Sequence, residues 1–404
     1  MTGRKPIDFG LLFATIALLL LGLVLVYSAS YYFSAKYFDD PAYLLKKQLI
    51  AAGVGLALML FLSRFDYHHL EELAGLLLLG SLGLALLALV PGVSRGGRWL
   101  ALGPLQLQPA ELLKLTLTIY LASSITRRGE QLHDFFLGVL PYLIILGLAA
   151  GLVLLQPDFE MALIYGAIVL FMLFIGGARP AHLALCLLAG LPLMYLFIRT
   201  APYRWERIIS FLDPLKYGQD KGYQLLQSLV AIGSGGPFGR GLGEGREKLL
   251  YLPSAHNDFI ASVAGEELGL LGSLLLLLLF GLFIYRGFLI LRRAPDQFGF
   301  LLGAGLLFTI GLQVVVHLGV AAGILPVTGL TLPFISYGGS SLIVSLGMVG
   351  ILLNISKQGK GGEFADLSSG RWERWSPLPR SGDLRRLPRG SPRRGGGTPR
   401  VYWG

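Results

Sequence analysis

Apolar residues in this chain fall into long unbroken runs separated by short polar breaks. Ten runs stand out, at roughly 9–32, 48–63, 71–90, 109–126, 135–155, 160–177, 181–199, 259–285, 298–321 and 340–355. Most approach the ~20 residues a helix needs to cross a ~30 Å hydrocarbon core. Only helices and closed barrels satisfy their backbone hydrogen bonds at that depth. A barrel strand reads as about ten residues of alternating polarity. These runs are instead continuous and Leu-rich, so the pattern predicts helices. The expected fold class is an all-α polytopic membrane protein with about ten transmembrane helices. One long loop, 200–258, separates the seventh from the eighth.

Composition agrees. The chain is 54% hydrophobic and 14% charged, with a mean hydropathy of +0.64, against about 25% charged in a soluble protein. The lone cysteine, Cys186, lies in an apolar run, so neither a disulfide framework nor a cysteine metal site is expected. The six histidines show no metal-ligand spacing. Half of the net charge of +10 lies in 362–404, where nine arginines face four acids among Gly, Pro and Ser. Such a composition builds no core. It reads as a disordered tail after a membrane domain spanning 1–361, and no nucleic-acid partner is expected.

Arg4 and Lys5 precede the first run, which reads as an uncleaved signal anchor. With the N-terminus in the cytoplasm, inner loops carry Arg64, Arg127, Arg128, Arg179, Arg292 and Arg293, and Lys357 and Lys360 follow the last run. The outer loops also hold cations, among them Lys36, Lys46, Lys47, Arg95 and Arg98. Either the topology is inverted or the outer cations bind something anionic. The second reading is adopted, which with ten crossings puts both termini on the cytoplasmic side.

Charged groups at membrane depth are expensive and mark sites by default. Four groups qualify. In the first, Arg95 and Arg98 precede Gln108-Pro109-Ala110-Glu111, with Lys114 one helical turn after Glu111. The arginines suit a phosphate or an interfacial anchor, and Glu111 with Lys114 suits a site or a structural ion pair. In the second, Gln156-Pro157-Asp158, the acid suits a helix cap or catalysis. In the third, His256-Asn257-Asp258 is followed by Glu266 and Glu267. Asp258 suits a general base or an N-cap, and the paired acids suit a substrate path or an interhelical pair. In the fourth, Pro333, Ser336, Gly338, Gly339 and Ser340 break any helix. That fits a re-entrant loop beside a cavity or a tight packing corner. The glycine run 239–243 lacks the flanking strand and Lys-Ser/Thr of a phosphate loop. In the 200–258 loop, Tyr203, Trp205, Phe211, Tyr217 and Tyr223 interleave with polar residues, as an ordered interfacial segment would.

Together these motifs resemble the shape, elongation, division and sporulation family of integral membrane proteins, over about 7–356. The resemblance rests on Arg98-Trp99 with Gln108-Pro109-x-Glu111-x-x-Lys114, on Ala255-His256-x-Asp258-Phe259-Ile260 with Glu266-Glu267-x-Gly269, and on Leu332-Pro333-Phe334-x-Ser336-Tyr337-Gly338-Gly339-Ser340-Ser341. Tyr27-Ser28-Ala29-Ser30 and the stretch 241–253 look closer to the division branch, FtsW, than to the elongation branch, RodA. The chain departs from the family pattern at Ala110, at Glu160-Met161 and at Asn257.

The resemblance implies a peptidoglycan glycosyltransferase that polymerises lipid II at the outer face of the inner membrane. Its essential acid falls on Asp258, the expected catalytic base. Arg95, Arg98, Glu111, Lys114, Asp158, His256, Glu266, Ser336 and Ser340 are the expected substrate-binding residues. A class B penicillin-binding protein is the expected partner, alongside other division or elongation membrane proteins. A divalent cation, Mg or Mn, is the only cofactor expected. Two other readings stand beside this one: a lipid II flippase that uses the intramembrane charges as a path, and a scaffold without chemistry.

Overall fold

The computed structural model describes residues 7–359, apart from 104, 218–221 and 250. The chain opens with α1 (Phe9–Phe38), α2 (Tyr43–Leu62) and α3 (His68–Leu87). A small antiparallel sheet follows, made of β1 (Ser94–Arg95), β2 (Trp99–Leu102) and β3 (Leu105–Leu107) in sequential order. Next come α4 (Pro109–Arg128), α5 (Leu140–Leu155), α6 (Phe159–Ile175) and α7 (Pro180–Arg199). Two shorter helices, α8 (Pro202–Leu212) and α9 (Tyr223–Ser234), lie inside the long loop. The bundle closes with α10 (Ile260–Leu291), α11 (Gln297–Ala321) and α12 (Gly339–Gln358).

All ten apolar runs fall on helices. Eight described helices are long and apolar enough to cross a membrane, and α6 is a shorter apolar helix. The chain is thus a multi-pass membrane protein. The remaining run, the fourth, falls on α4, which carries Glu111, Lys114, Arg127 and Arg128. It tolerates them because it packs on α3, α6, α11 and α12 and buries most of its length in protein. Segment ends differ from the pattern-based ones. The second helix starts at Tyr43 rather than 48, and α10 runs on to Leu291 rather than 285. Apolar runs mark only the membrane-facing part of a helix, whereas polar turns extend beyond it. The tail expected over 362–404 lies outside the described residues.

Burial is uneven. In the apolar window of α12, 83% of residues are buried inside the protein, against 6% for α7. So α12 is central, whereas α7 is a peripheral helix, touching mainly α6 and α8.

Two glycines shape the eighth membrane helix. Gly269 (φ 67°, ψ −162°) bends α10. Gly239, at φ +80°, packs its backbone against that bend, where an added Cβ would lie 2.1 Å from the carbonyl oxygen of Glu267. Only glycine permits both that φ and that approach. The bend fixes the angle at which the first turns of α10 rise toward Asp258.

Candidate active site

A cleft of about 520 Å³ opens where the N-terminal ends of α2, α4, α6, α10 and α12 converge. Its walls include Lys47, Arg98, Gln108, Glu111, Asp158, Glu160, Arg207 and Asp258, with the non-helical segments around Gly329–Thr331 and Tyr337–Gly339. Polar side chains therefore gather at one end of an otherwise apolar bundle.

Asp258 stands just before α10. The cap position belongs to Phe259, which makes no side-chain cap bond, so Asp258 does not cap the helix. Its backbone N–H donates to Ser254 O at 3.1 Å. Its carboxylate accepts no hydrogen bond from the described residues and faces the cleft. Burial pushes its pKa up to about 6, moderated by the nearby Arg207 cation and reinforced by Glu160. The N-cap alternative for Asp258 thus falls away.

Asp158 caps a helix and also reaches the cleft wall. Its Oδ1 accepts from Met161 N–H at 3.2 Å and so caps α6, and its Oδ2 accepts from Gln108 Nε2 at 3.0 Å on the cleft wall. Burial raises its pKa to about 6, against the pull of Arg98. The Arg98 guanidinium donates to the carbonyls of Gln156 and Pro157. It lines the cleft, yet much of its donor capacity holds the α5–α6 turn.

Several expected site residues lie behind the cleft instead. Lys114 is fully buried and donates to Glu111 Oε2 at 2.5 Å and Gln313 Oε1 at 3.0 Å. Glu111 reaches the cleft, but Lys114 does not line it. The pair is the structural one, joining α4 to α11. Ser340 Oγ accepts from Gln108 N–H at 2.9 Å and donates to Gln106 O at 2.6 Å, stitching α12 to the β3–α4 junction. Ser336 Oγ accepts from Leu332 N–H at 2.8 Å and donates to Asn257 O at 2.7 Å. That bond ties the broken segment to the residue beside Asp258. His256 packs between the rings of Phe33 and Tyr337, with centroids 5.0 and 5.8 Å away. Burial pushes its pKa down to about 4, so it is neutral at pH 7.

Two expected residues are not part of the cleft wall. Arg95 is exposed at the end of β1. Glu266 lies in the first turns of α10, buried beneath the glycine-rich segment. It accepts from Arg246 N–H at 2.7 Å and pairs with Arg240 at 3.5 Å. Glu267 accepts from Lys248 at 2.6 Å and Ser28 at 2.7 Å. The paired acids clamp the long loop onto α10 and α1, so their basic partners come from the loop rather than from a second helix as expected. The glycine run they hold binds backbone to backbone: Arg240 N–H and Gly241 N–H donate to the carbonyls of Glu266 and Glu267, each at 3.0 Å.

The cleft adds residues that motif reading did not select. Lys47, Glu160, Tyr203 and Arg207 all line it. Their only sequence signal was an excess of cations in the outer loops and an unusual acid after Asp158. A carboxylate made more basic by burial and by Glu160, with Arg207 nearby, suits taking a proton from a substrate that also carries negative charge. Among the described residues, no group of three or more His, Cys, Asp or Glu side chains could hold a metal.

The comparisons with known proteins come to the same place. A family model described as a cell cycle protein, covering FtsW, RodA and SpoVE, matches residues 9–361. The chain is 42% identical to a probable peptidoglycan glycosyltransferase FtsW of Geobacter metallireducens, over 88% of this chain and 96% of that one. It is 40% identical to stage V sporulation protein E of Bacillus subtilis, over 88% and 99%. Among solved structures it is similar to RodA of Thermus thermophilus, at 34% identity and a TM-score of 0.65, covering 88% of this chain and 98% of that one. It is also similar to a chain solved in work on coordinated polymerization and crosslinking by a peptidoglycan synthase complex. There the identity is 34%, the TM-score 0.72 and the coverage 87% and 98%.

Proposed function

The chain belongs to the FtsW, RodA and SpoVE family of cell cycle proteins, and from that premise we propose that it is a peptidoglycan glycosyltransferase polymerising lipid II. The observation that carries this reading is the Asp258 carboxylate, unbonded to the described side chains and half-buried on the wall of a cleft that sets Lys47, Arg98 and Arg207 among four acids. In the proposed step Asp258 accepts the proton of the 4-hydroxyl on the acceptor's N-acetylglucosamine. The freed oxygen attacks the anomeric carbon of the lipid-linked donor, and undecaprenyl diphosphate leaves. The centre inverts and a β-1,4 bond forms.

The electrostatics support this role. A carboxylate with a pKa near 6 is a stronger base than an ordinary aspartate, yet remains mostly ionised at pH 7. Even so it is a modest base, so positioning and leaving-group stabilisation must supply most of the rate. Ser336 holds the backbone next to Asp258, and the bend at Gly269 sets the approach of α10. The described side chains do not build a resident metal site. A divalent cation would take most of its ligands from the substrate diphosphate and water, as Mg²⁺ commonly does.

In this reading the cleft opens on the outer face of the bacterial inner membrane, with both termini in the cytoplasm. A class B penicillin-binding protein is the proposed partner, supplying crosslinking, together with other division or elongation proteins. The division branch is favoured, since FtsW relatives reach 43% identity, against 34% for the RodA structure. The test is polymerisation of lipid II by the purified protein with that partner, read as glycan ladders. Ladders from wild type and none from Asp258→Ala is the expected result. Wild-type ladders from the variant would refute the assignment.

A further inference from the structure

Two of the cations first expected to meet substrate phosphate are unavailable. Lys114 is buried on Glu111 and Gln313, and Arg95 lies off the cleft wall. Arg98 lines the cleft, but two of its five donors hold the Gln156 and Pro157 carbonyls and fix the guanidinium in place. A cation that can turn toward an anion has to be sought elsewhere on the wall.

Arg207 has that freedom. It sits on α8, a strongly amphipathic helix, four residues after Tyr203, and both side chains line the cleft. Positions four apart share a helix face. The neighbouring Arg204 is committed elsewhere, lying over the Phe159 ring at 5.2 Å and donating to Phe197 O at 3.0 Å. Among the described side chains Arg207 bonds Glu160, at 2.6 Å, with side chains 41% and 18% exposed, and it also attracts Asp258. A pair this open to water contributes little. Glu160, moreover, lies in the first turn of α6, where the positive end of the helix dipole supports a carboxylate without a partner. Without Arg207, Glu160 keeps the helix dipole and its partial exposure to water.

We propose that Arg207 is the diphosphate-binding residue of this site, held in readiness by Glu160 and exchanging that carboxylate for a phosphate oxygen when substrate enters. The inference rests on the glycosyltransferase reading for the identity of the diphosphate. Arg–phosphate pairs form parallel charge-assisted hydrogen bonds, stronger than the exposed pair they replace. The exchange also removes the cation that faces Glu160 and places it on the leaving group, beside Asp258. Lys47, which lies over the Tyr43 ring at 4.5 Å and also lines the cleft, is another cation within the site. Tyr203 provides an aromatic face next to Arg207.

The experiment measures binding of farnesyl diphosphate to the purified full chain in lipid nanodiscs, with farnesol as the uncharged control. Arg207→Ala should weaken diphosphate binding by at least tenfold and leave farnesol unchanged. Glu160→Gln should tighten it by about threefold, because it removes the competitor and keeps the shape. Arg207→Lys should recover part of the loss. A variant at the opposite end, Arg127→Ala, controls for net charge. Equal affinity for wild type, Arg207→Ala and Glu160→Gln would overturn the proposal. So would weakening by Arg127→Ala as large as that by Arg207→Ala. Thermal melts of each variant separate lost binding from lost folding: Arg207→Ala must melt with wild type for the loss to count, and Glu160→Gln gives a gain that no unfolded protein shows. This readout needs no turnover, so diphosphate binding is judged separately from polymerisation.

Discussion

Lys114 donates to Glu111 across one turn of α4 at 2.5 Å, with the lysine sealed from solvent and the glutamate 4% exposed. Gln313 of α11 accepts a second bond from the same ammonium at 3.0 Å. Two opposite charges thus share the interior of the bundle, and each makes the other tolerable. Glu111 Oε2 faces Lys114 while the residue also borders the cleft, so the pair links the packing of α4 with the floor of the site.

Breaking such a pair from one side strands a charge. Lys114→Met should lower stability by about 3–5 kcal/mol, the usual consequence of leaving a buried ion alone. Adding Glu111→Gln to it should return much of that loss, since a neutral pair of similar volume needs no counterion. Thermal unfolding of the two single variants and the double variant in one detergent tests this. Additive losses would show that the two side chains act independently.

The glycine contact at the α10 bend makes a sharper prediction. Gly239→Ala puts a methyl 2.1 Å from Glu267 O at a φ of +80°. Left-handed strain and overpacking together should cost roughly 2–5 kcal/mol. The loop would have to lift from α10, taking with it the bonds from Arg240 and Gly241 to the two glutamate carbonyls. A melting temperature equal to wild type would show that the loop adapts at no cost.

How much of this was legible beforehand depends on the range of the interaction. Ten helices followed from apolar runs, because membrane burial acts on each segment separately. Asp258 was legible as a local motif at a helix start. The partners of Glu111 and Lys114 were half legible, since one lies three residues from the other, but Gln313 is distant in sequence. Glu266 reads as a site residue in one dimension, because only the fold brings Arg240 and the Arg246 N–H onto it. Lys47 and Arg207 were single entries in a surplus of outer cations. Nothing local distinguishes them from Arg95, which the end of β1 leaves exposed. Their assignment needed the cleft.

Asp258 should destabilise the fold at neutral pH. Its folded pKa of about 6 lies above its ordinary value of 3.8, so the ionised form is disfavoured in the native state. Between those two values the native protein holds more protons than the unfolded chain, and stability falls as pH rises. The penalty is complete above about pH 6 and absent below about pH 4. Asp258→Asn should therefore melt higher than wild type at pH 7.5, by about 1–3 kcal/mol. The gap should narrow as the pH is lowered. A variant that melts below wild type at pH 7.5 would show that the carboxylate has a structural partner.

The same carboxylate sets the acid side of catalysis. A general base works only when deprotonated, so kcat/KM for lipid II should fall about tenfold per pH unit below an apparent pKa near 6. His256 will not produce that limb, because its own pKa is pushed down to about 4 and it is already neutral through this range. Asp158 has a raised pKa as well, so the limb must be assigned by substitution. Asp158→Asn should leave the acid limb in place, even if its helix-capping loss lowers the overall rate. Asp258→Glu, if it retains measurable turnover, should move the limb, since the longer side chain relocates the carboxylate relative to Arg207 and Glu160. A limb that disappears in Asp158→Asn and stays fixed in Asp258→Glu would transfer the base role to Asp158. Initial rates between pH 5 and 8, with partner and lipid concentrations held constant, decide between the two acids.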